Sequence, residues 1–503
     1  MNKKKLIILD LINNKEILRE DCYIIRLDKG LIRLKNFKIY DLSKLKKDKI
    51  ITRKILLYLS NFKTLFKDND IYKTEISNYR DDKIDIYNRI ENISNIKNKN
   101  LEKKFDIEII SDKSESFLIF NQFFKKCTFT HLGVKKKINP HLKFFLSRTK
   151  FFIKILFINI YLKIFTKKKN ITNNLGLSIF PLFIKNNEIN LYNKKKLTYL
   201  NFLFTDETHI SMNISKIIKI IKILRNKKNF YLVERDIEIM DIFKIYFFSL
   251  KYLFHINKIL KSKIKINNIN FGFYINQYFL DSIHNLLKLE NYKSSVKKIF
   301  SKNFSLNEFH YFLFEYNFGF FLADIIKKNN CEIKLYGYQH GIFDNDNKWL
   351  NLISKLNFRE NFFPHKIFCK YKISKNIYVK KFKKNVIMND KINDNFQSKN
   401  IFKKIQKSSK NCLFYLGLHD GIDILNELSI KTNFLNKYKN IYIKSHPKKP
   451  DVKNLYQNSK FRFIKNLDNI NFKDIFVSPT SSLKYLFKEF KLPFKLTKIS
   501  YRQ

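Results

Sequence analysis

Short apolar runs ending in polar turns alternate with helix-like segments along the chain, most regularly in its C-terminal part. Alternation of this kind predicts βαβ units that build a parallel sheet. In the C-terminal part the predicted strands are Cys412–Leu418, Ile441–Ser445 and Ile475–Val477, and the predicted helices are Gly421–Leu428 and Ser481–Phe490.

The same alternation extends through the middle of the chain. The predicted helices there are Ile214–Arg225, Met240–Leu260 and Leu280–Leu287, and the predicted strand is Ile264–Asn268. Phe309–Lys328, with Glu315 on a helix, leads into a further strand, Cys331–Tyr338.

The N-terminal part gives the predicted strands Lys5–Leu9, Cys22–Leu27, Phe105–Ile110 and Ser116–Phe120, and the predicted helix Lys54–Phe66. The charged, Asn-rich segment Asp81–Lys104 is expected to be a loop or a solvated helix. We therefore expect an α/β chain of four parts, which are a small α/β region of unknown role (1–135), a basic helical segment (136–170), a Rossmann-like domain (171–405) and a short second one (406–503).

The basic segment, His141–Lys169, is apolar and aromatic but contains several lysines. Its charges do not fall on one helical face, since Lys143, Lys150 and Lys154 align and Arg148 does not. Two interpretations stay open: an interfacial helix on an anionic membrane, or a partly buried helix whose lysines extend outward. No segment reaches the ~20 apolar residues of a membrane span. No signal peptide is expected, because only a short apolar stretch precedes Asp10.

The composition indicates a strongly positive charge and a reducing cellular compartment. The chain has 99 Lys and Arg against 44 Asp and Glu, a net charge of +55. The lysines are spread evenly, as A+T-rich codons would produce, whereas a nucleic-acid binder more often concentrates its charge on one face. Such a charge would still attract anionic lipids and phosphorylated substrates. Five widely spaced cysteines favour a reducing cytoplasm over a disulfide framework or a zinc site.

Residues that are rare in this chain cluster in its last third. Five of the nine glycines fall between Gly319 and Gly421, and five of the seven prolines between Pro364 and Pro493. Gly and Pro meet local geometric needs, so this clustering directs attention to three patches. They are Tyr336–Gly341 (YGYQHG), Lys444–Pro447 (KSHP) and Ser478–Ser482 (SPTSS).

Two patches favour an anion site. The KSHP patch places His446 at the carboxyl end of a predicted parallel strand, the edge where open α/β sheets bind ligands. Pro447 turns the chain off the sheet, and Lys444 adds positive potential. In the SPTSS patch, a strand and a tight turn lead to a predicted helix start at which backbone N–H groups and hydroxyls can bind phosphate. The candidate donors in this patch are Thr480, Ser481 and Ser482, for which simple helix capping is the alternative.

The third patch supplies a candidate base. His340 follows a predicted strand beside Gly341, and an imidazole titrates near neutrality. Glu315 is a candidate to orient it or to bind a hydroxyl, and Gln339 adjoins it. Structural roles at a turn and on an exposed helix are the alternatives for His340 and Glu315.

The chain resembles a GT-B glycosyltransferase in the order of five features along the sequence. They are the helix with Glu315, the QHG turn, Pro364-His365, KSHP and SPTSS. More narrowly they resemble bacterial capsule and lipopolysaccharide biosynthesis proteins, relatives of sialyl- and Kdo-transferases with HP and SS motifs. The motifs cover roughly residues 170–503. His419-Asp420-Gly421 resembles, more weakly, the acidic-Gly motif of bacterial sialyltransferases, which makes Asp420 and Gly421 further candidates.

The resemblance implies two facing Rossmann-like domains. His446, Pro447, Lys444, Thr480, Ser481 and Ser482 would bind the donor, and His340 or Glu315 would face them. Such enzymes usually need no metal, so no cofactor or metal is expected. The donor half is short for such a unit, since only ten residues follow Pro493.

The resulting hypothesis is a cytoplasmic glycosyltransferase, peripheral on the inner face of the membrane. It would move a sugar, with inversion, from a nucleotide-sugar to a surface-polysaccharide or lipid-linked acceptor. A CMP-sugar is the first expectation and a UDP-sugar the next. The alternatives are a CDP-glycerol-type polyol-phosphate transferase, a basic nucleic-acid-binding protein and an inactive scaffold.

Overall fold

The computed structural model describes residues 3–10, 22–27, 37–39, 81–97, 99–132, 139–179, 197–204, 214–261, 263–302, 306–312, 317–329, 332–339, 364–369, 371–382, 385–388, 404–417, 420–421, 424–425, 428, 432–446, 460–464, 467, 470–479, 481 and 483–497. These residues form an α/β protein with three large sheets, in all of which the paired strands run parallel.

The N-terminal sheet has five strands in the order β3-β2-β1-β4-β5. The chain passes through β1 (Lys4–Leu9), β2 (Cys22–Arg26), β3 (Phe37–Ile39), helix α1 (Asp81–Lys97), β4 (Phe105–Ser111), helix α2 (Ser114–Phe120) and β5 (Cys127–His131). Residues 6–9 of β1 are fully buried, as expected for a central parallel strand covered on both faces.

One N-terminal prediction was wrong, and another was right only in part. Residues 116–120 belong to helix α2, because a short apolar run does not by itself distinguish a strand from a buried helix. The charged segment from Asp81 forms helix α1, and it is not solvated all round, since Ile90, Ile93 and Ile96 are buried. The predicted helix Lys54–Phe66 lies outside the described residues.

The middle sheet has seven strands, in the order β8-β7-β6-β11-β12-β13-β14. Its strands are β6 (Asn174–Ile179), β7 (Thr198–Phe202), β8 (Phe230–Leu232), β11 (Glu308–Phe312), β12 (Lys334–Tyr338), β13 (Lys366–Cys369) and β14 (Asn385–Met388). The helices are α3 (Pro140–Phe165), α4 (Ile214–Arg225), α5 (Ile239–Leu250), α6 (Leu253–Lys261), α7 (Gly272–Lys302), α8 (Asn317–Asn329) and α9 (Lys372–Phe382).

Two predictions for this part need correction. The single helix expected over Met240–Leu260 is two helices, α5 and α6, separated at residues 251–252. The strand expected at Ile264–Asn268 is a hairpin of β9 (Lys265–Ile266) and β10 (Ile269–Asn270). Asn267 and Asn268 form its two-residue turn with positive φ of 50° and 59°, a conformation that Asn tolerates better than most residues.

The hairpin and helix α7 join the first two sheets. Lys97 Nζ of α1 donates to the Asn267 carbonyl at 2.9 Å, and the Asn270 backbone N–H donates to Gln122 Oε1 at 2.7 Å. One hydrophobic cluster runs from Leu6 of the N-terminal sheet to Val386 of the middle sheet. The two sheets therefore share a core.

The C-terminal sheet has five strands in the order β17-β16-β15-β18-β19. Its elements are β15 (Asn411–Tyr415), helical positions at 421, 424, 425 and 428, α10 (Thr432–Lys437), β16 (Asn440–Lys444), β17 (Phe461–Phe463), β18 (Asp474–Val477), α11 (Leu483–Glu489) and β19 (Lys495–Leu496). The three strands predicted from the sequence are present within three residues at each end, and β17 and β19 are additions.

All three sheets contain the order 3-2-1-4-5 when the strands of each are numbered along the chain, and the middle sheet continues it with its last two strands. This is the order of dinucleotide-binding folds, in which the direction of winding reverses between the first and fourth strands and leaves a crevice at their carboxyl ends. The α/β class predicted from the sequence is confirmed. Among the described helices, none combines the length and hydropathy that crossing a bilayer requires.

Candidate functional site

The crevice of the C-terminal sheet lies between the carboxyl ends of β15 and β18. The Ser478 backbone N–H donates to the Tyr415 carbonyl at 3.0 Å, and the Leu416 N–H donates to the Lys444 carbonyl at 3.1 Å. The ends of β15, β16 and β18 are thereby held side by side. Two of the motifs found in the sequence begin at this edge: KSHP starts with the last residue of β16, and SPTSS directly follows β18.

An aspartate and a serine are joined across this crevice. The Ser478 hydroxyl lies 2.5 and 2.7 Å from the two carboxylate oxygens of Asp420, and both side chains are buried. Asp420 belongs to the turn after β15, and Ser478 directly follows β18. The pair therefore fixes the first strand–helix turn against the fourth strand of the sheet.

Gly421 allows the helix after that turn to lie close to the sheet. A Cβ at this position would come within 3.2 Å of Leu416 Cβ, tighter than ordinary van der Waals contact. Close helix–strand packing is one of the roles of glycine in dinucleotide-binding turns. Asp420 and Gly421 thus shape the crevice, whereas the sequence offered them only as further candidates.

The basic and hydroxyl groups around the crevice differ in accessibility. Lys444 and His446 are half-buried, and Ser481 is 6% exposed. The Ser481 N–H donates to the Ser478 carbonyl at 3.0 Å, and its Oγ accepts from the Leu483 N–H at 3.3 Å. Ser481 therefore caps α11, as the capping alternative expected, and α11 has only seven residues. An anion bound here would be held by groups at the crevice, because α11 is too short to supply the dipole of a long helix.

Several predicted site residues lie outside the described residues: Glu315, His340, Gly341, Pro447, Thr480 and Ser482. Gln339, which is described, is 1% exposed and donates through Nε2 to Ser374 Oγ at 2.6 Å. Its contact with α9 gives it a packing role after β12. His365 lies before β13, where its Nδ1 accepts from the Leu335 N–H at 2.9 Å.

A polar cluster that was not predicted from the sequence lies in the crevice of the N-terminal sheet. Asp10 directly follows β1 and is fully buried, with Arg89 Nε of α1 at 2.9 Å from Oδ1. The Tyr274 hydroxyl of α7 donates to Asp10 Oδ2, and the Arg89 guanidinium lies 5.4 Å from the Tyr274 ring centre. Burial raises the pKa of Asp10, and the charge of Arg89 partly offsets this. An acidic residue directly after an apolar strand was the available signal.

A second overlooked acid lies beyond β7 and β8. Glu234 is fully buried and accepts from the Tyr292 hydroxyl at 2.6 Å and from the Leu203 N–H at 2.5 Å. Burial raises the pKa of its carboxyl group to about 7, because these neutral donors offset only part of the desolvation cost. In the sequence its charged neighbours, Arg235 and Asp236, gave no sign of burial.

Among the described residues, no group of three or more His, Cys, Asp or Glu side chains is arranged to hold a metal ion. The fold and crevice define an α/β protein with three parallel sheets of dinucleotide-binding order. In comparisons with known proteins, no family model, curated protein or solved structure matches the chain.

Proposed function

We propose that the chain is a glycosyltransferase that binds the nucleotide part of a nucleotide-sugar in the crevice of the C-terminal sheet. The observation that carries the proposal is that β16 and β18, at whose carboxyl ends the KSHP and SPTSS segments begin, flank β15 in one parallel sheet, next to the switch point between β15 and β18. This position in a parallel sheet is where mononucleotides and dinucleotides bind. A CMP-sugar is the first candidate donor and a UDP-sugar the second.

The described residues of the C-terminal crevice have the following roles in this proposal. His446 donates a hydrogen bond to phosphate or ribose, and Lys444 offsets negative charge on the diphosphate or monophosphate. The Asp420–Ser478 pair holds the turn after β15 in place, which preorganises the backbone around the nucleotide. Pro447, Thr480 and Ser482 belong to the same two segments.

The reaction would be a direct displacement with inversion. The oxygen of an acceptor hydroxyl forms a bond to the anomeric carbon as the bond from that carbon to the donor phosphate oxygen breaks. The hydroxyl proton passes to a base, for which His340 or Glu315 is proposed, and the bond electrons leave with the phosphate. Positive groups at the crevice stabilise the departing nucleotide. The acceptor is a surface polysaccharide or a lipid-linked glycan.

Nucleotide binding tests the proposal. Thermal shift and calorimetry with CMP, CDP, UDP, GDP and ADP should show that one nucleotide stabilises the wild type selectively. The variant His446→Ala should lose at least tenfold in affinity while unfolding at nearly the same temperature. His131→Ala, which removes an exposed histidine at the carboxyl end of β5, is the matched control and should bind like the wild type.

If no nucleotide binds the wild type, the transferase proposal fails. If a nucleotide binds, incubation with the corresponding activated sugar or activated glycerol identifies the transferred group. Transfer of a polyol phosphate would replace the glycosyltransferase by the CDP-glycerol-type alternative. Tight DNA or RNA binding at physiological salt, without nucleotide selectivity, would favour the nucleic-acid alternative.

A further inference from the structure

Exposed apolar side chains are concentrated on two packed helices, α3 and α5. Of the nineteen large hydrophobic side chains exposed among the described residues, thirteen lie on these helices. We call these thirteen the apolar platform: Leu142, Phe145, Leu146, Ile153, Phe157, Ile160, Ile164, Phe165, Ile239, Met240, Phe243, Phe247 and Phe248. Contiguous apolar surface on this scale marks an interaction site in a soluble protein.

The two helices form one continuous surface. The Phe152 ring of α3 lies 5.0 Å from that of Phe243 and 4.4 Å from that of Tyr246, measured between ring centres. The Tyr246 hydroxyl is 2.9 Å from Thr149 Oγ1. The exposed strips of α3 and α5 therefore adjoin along this seam.

Helix α3 buries two cationic side chains together with apolar ones, and it leaves other large apolar side chains exposed in its central turns. Arg148 and Lys154 are 1% and 6% exposed, whereas Ile153 and Phe157 are 56% and 45% exposed. Burial lowers the pKa of Arg148 to about 10. Lys143, Lys150 and Lys163 extend outward, as expected for a partly buried helix, whereas Lys154 does not. The helix therefore exposes apolar side chains on one face while its opposite face is buried.

Buried hydrogen bonds fix this orientation. Asn159 Nδ2 donates to the carbonyls of Glu234 and Ile237 at 2.6 and 2.8 Å. Rotating α3 to bury Phe157 would expose Arg148 and break these bonds. The outward apolar face is therefore a property of the packed protein, not of a helix that could turn over.

Positive charge surrounds the platform. Helix α3 contains no Asp or Glu, and Lys143 and Lys150 are exposed on it. Lys244 and Lys251 are exposed along α5 and directly after it. The acidic residues of α5 lie at its start, where Asp241 is half-buried and Glu238 is paired with Lys298 at 2.7 Å.

A basic cavity opens at the C-terminal end of α3. It has a volume of about 270 Å³, and Phe165 of the platform lines it together with Lys167, Lys169, Arg225 and Arg235. Lys169 is fixed there, because its Nζ donates to three carbonyls, among them that of Lys227 at 2.6 Å. The cavity extends the positive potential to the edge of the platform.

We propose that the apolar platform docks the protein on an anionic lipid bilayer, with Phe157 and Phe247 entering the interface and the surrounding lysines contacting lipid phosphates. Amphipathic surfaces with aromatic and aliphatic residues beside lysines bind the interface between lipid headgroups and acyl chains, and anionic headgroups supply the complementary charge. The proposal concerns peripheral binding. It does not depend on the proposed transferase activity.

Vesicle co-sedimentation of the full chain tests the proposal. Vesicles of phosphatidylcholine with phosphatidylglycerol should bind the protein much more tightly than phosphatidylcholine alone. The double variant Phe157→Ser/Phe247→Ser should lower the affinity for the anionic vesicles at least tenfold. Leu118→Ser/Val379→Ser, which removes two exposed apolar side chains elsewhere, is the matched control and should leave it unchanged.

Lysine variants distinguish attraction of the bilayer by lysines beside the platform from attraction by the charge of the whole chain. The distinction matters because the chain has a net charge of +55. Lys150→Gln/Lys244→Gln should weaken binding about fivefold for each lysine removed. Lys372→Gln/Lys380→Gln, a matched pair of exposed lysines on α9, should have a clearly smaller effect. Equal effects of the two pairs would overturn the proposal.

Tryptophan variants measure how deeply the platform enters the bilayer. Phe157→Trp should gain emission that acyl-chain-brominated lipids quench, whereas Val379→Trp on α9 should not. If the platform serines leave binding unchanged, or if Phe157→Trp is not quenched, the platform is not the docking surface. The wild type could instead be a dimer that binds no vesicles and that the double serine variant dissociates. In that case a second copy of the chain covers the platform, and the lipid proposal is wrong.

Discussion

The N-terminal and C-terminal sheets have the same strand order, and each has an aspartate at its crevice, but the two aspartates are used differently. Asp10 of the N-terminal sheet is held by Arg89 and by Tyr274, which comes from helix α7 of the middle part. Asp420 of the C-terminal sheet is joined to Ser478 of its own sheet, while His446 and Lys444 beside it stay partly exposed.

The difference shows that topology creates a crevice, but other elements decide its use. In the N-terminal sheet, side chains from α1 and α7 fill the space and fasten the sheet to its neighbour. A charge cluster of this kind favours one packing arrangement, because any other leaves charges buried without partners. In the C-terminal sheet the groups that can reach a ligand come from strand ends and stay accessible.

The largest expected effect concerns the filled crevice. Asp10→Ala should lower the free energy of unfolding by about 3–5 kcal/mol, because Arg89 would remain buried beside Tyr274 without its carboxylate. Urea denaturation measures this change. Asp106→Ala, an exposed aspartate of the same sheet, should cost less than about 0.5 kcal/mol. A loss below about 1 kcal/mol for Asp10→Ala would mean that Asp10 does not fasten the N-terminal sheet to its neighbour.

The next effect concerns a buried acid that is held by neutral donors. The pKa of Glu234 is raised from 4.5 to about 7, so between these values the folded state keeps a proton that the unfolded state loses. The free energy of unfolding should therefore fall by about 3 kcal/mol as the pH rises from about 4.5 to about 7, with no further contribution from this group above that pH.

Denaturation across this pH range should show most of that fall removed in Glu234→Gln, which cannot titrate. Glu489→Gln, an exposed glutamate on α11, should keep the wild-type profile. An unchanged profile in Glu234→Gln would mean that other groups cause the dependence. The size of the fall measures what burial costs a carboxyl group whose hydrogen-bond donors are neutral, in contrast to Asp10 beside Arg89.

The smallest expected change in stability is at the C-terminal crevice. Ser478→Ala removes the hydroxyl that bonds to buried Asp420, and it should cost about 1–3 kcal/mol. It should also weaken nucleotide binding several-fold, since the turn after β15 loses its attachment to β18. Ser409→Ala removes a hydroxyl bond of 2.8 Å to the Asn471 carbonyl at the opposite edge of the sheet, and nucleotide affinity should not change. Weaker nucleotide binding in both variants would place the site elsewhere.

The sequence predicted the long buried strands well, because a continuous apolar run bounded by polar turns is typical of a strand covered on both faces. Lys5–Leu9 and Cys412–Leu418 are examples, each within three residues of its observed strand. The short strands β17 and β19 were not predicted, since two or three residues show no periodicity. Residues 116–120 were assigned to the wrong element because so short an apolar run fits a helix as well as a strand.

The candidate site was predicted only in outline. The KSHP and SPTSS segments were identified because their residues are rare in this chain, and the structure places both at one sheet edge. The contact between Asp420 and Ser478 joins positions 58 residues apart, so local pattern did not reveal it. The roles proposed for His340 and Glu315 stay predictions.

By itself the sequence determined the alternation of strands and helices, the parallel α/β class and the segments with unusual composition, because these depend on local propensity and on apolar periodicity. Only the tertiary structure decided which partners hold each buried aspartate, which face of α3 points outward and which strand ends lie side by side. Each of these depends on contacts between residues far apart in the chain, and their energies are set by burial and by partners from other elements.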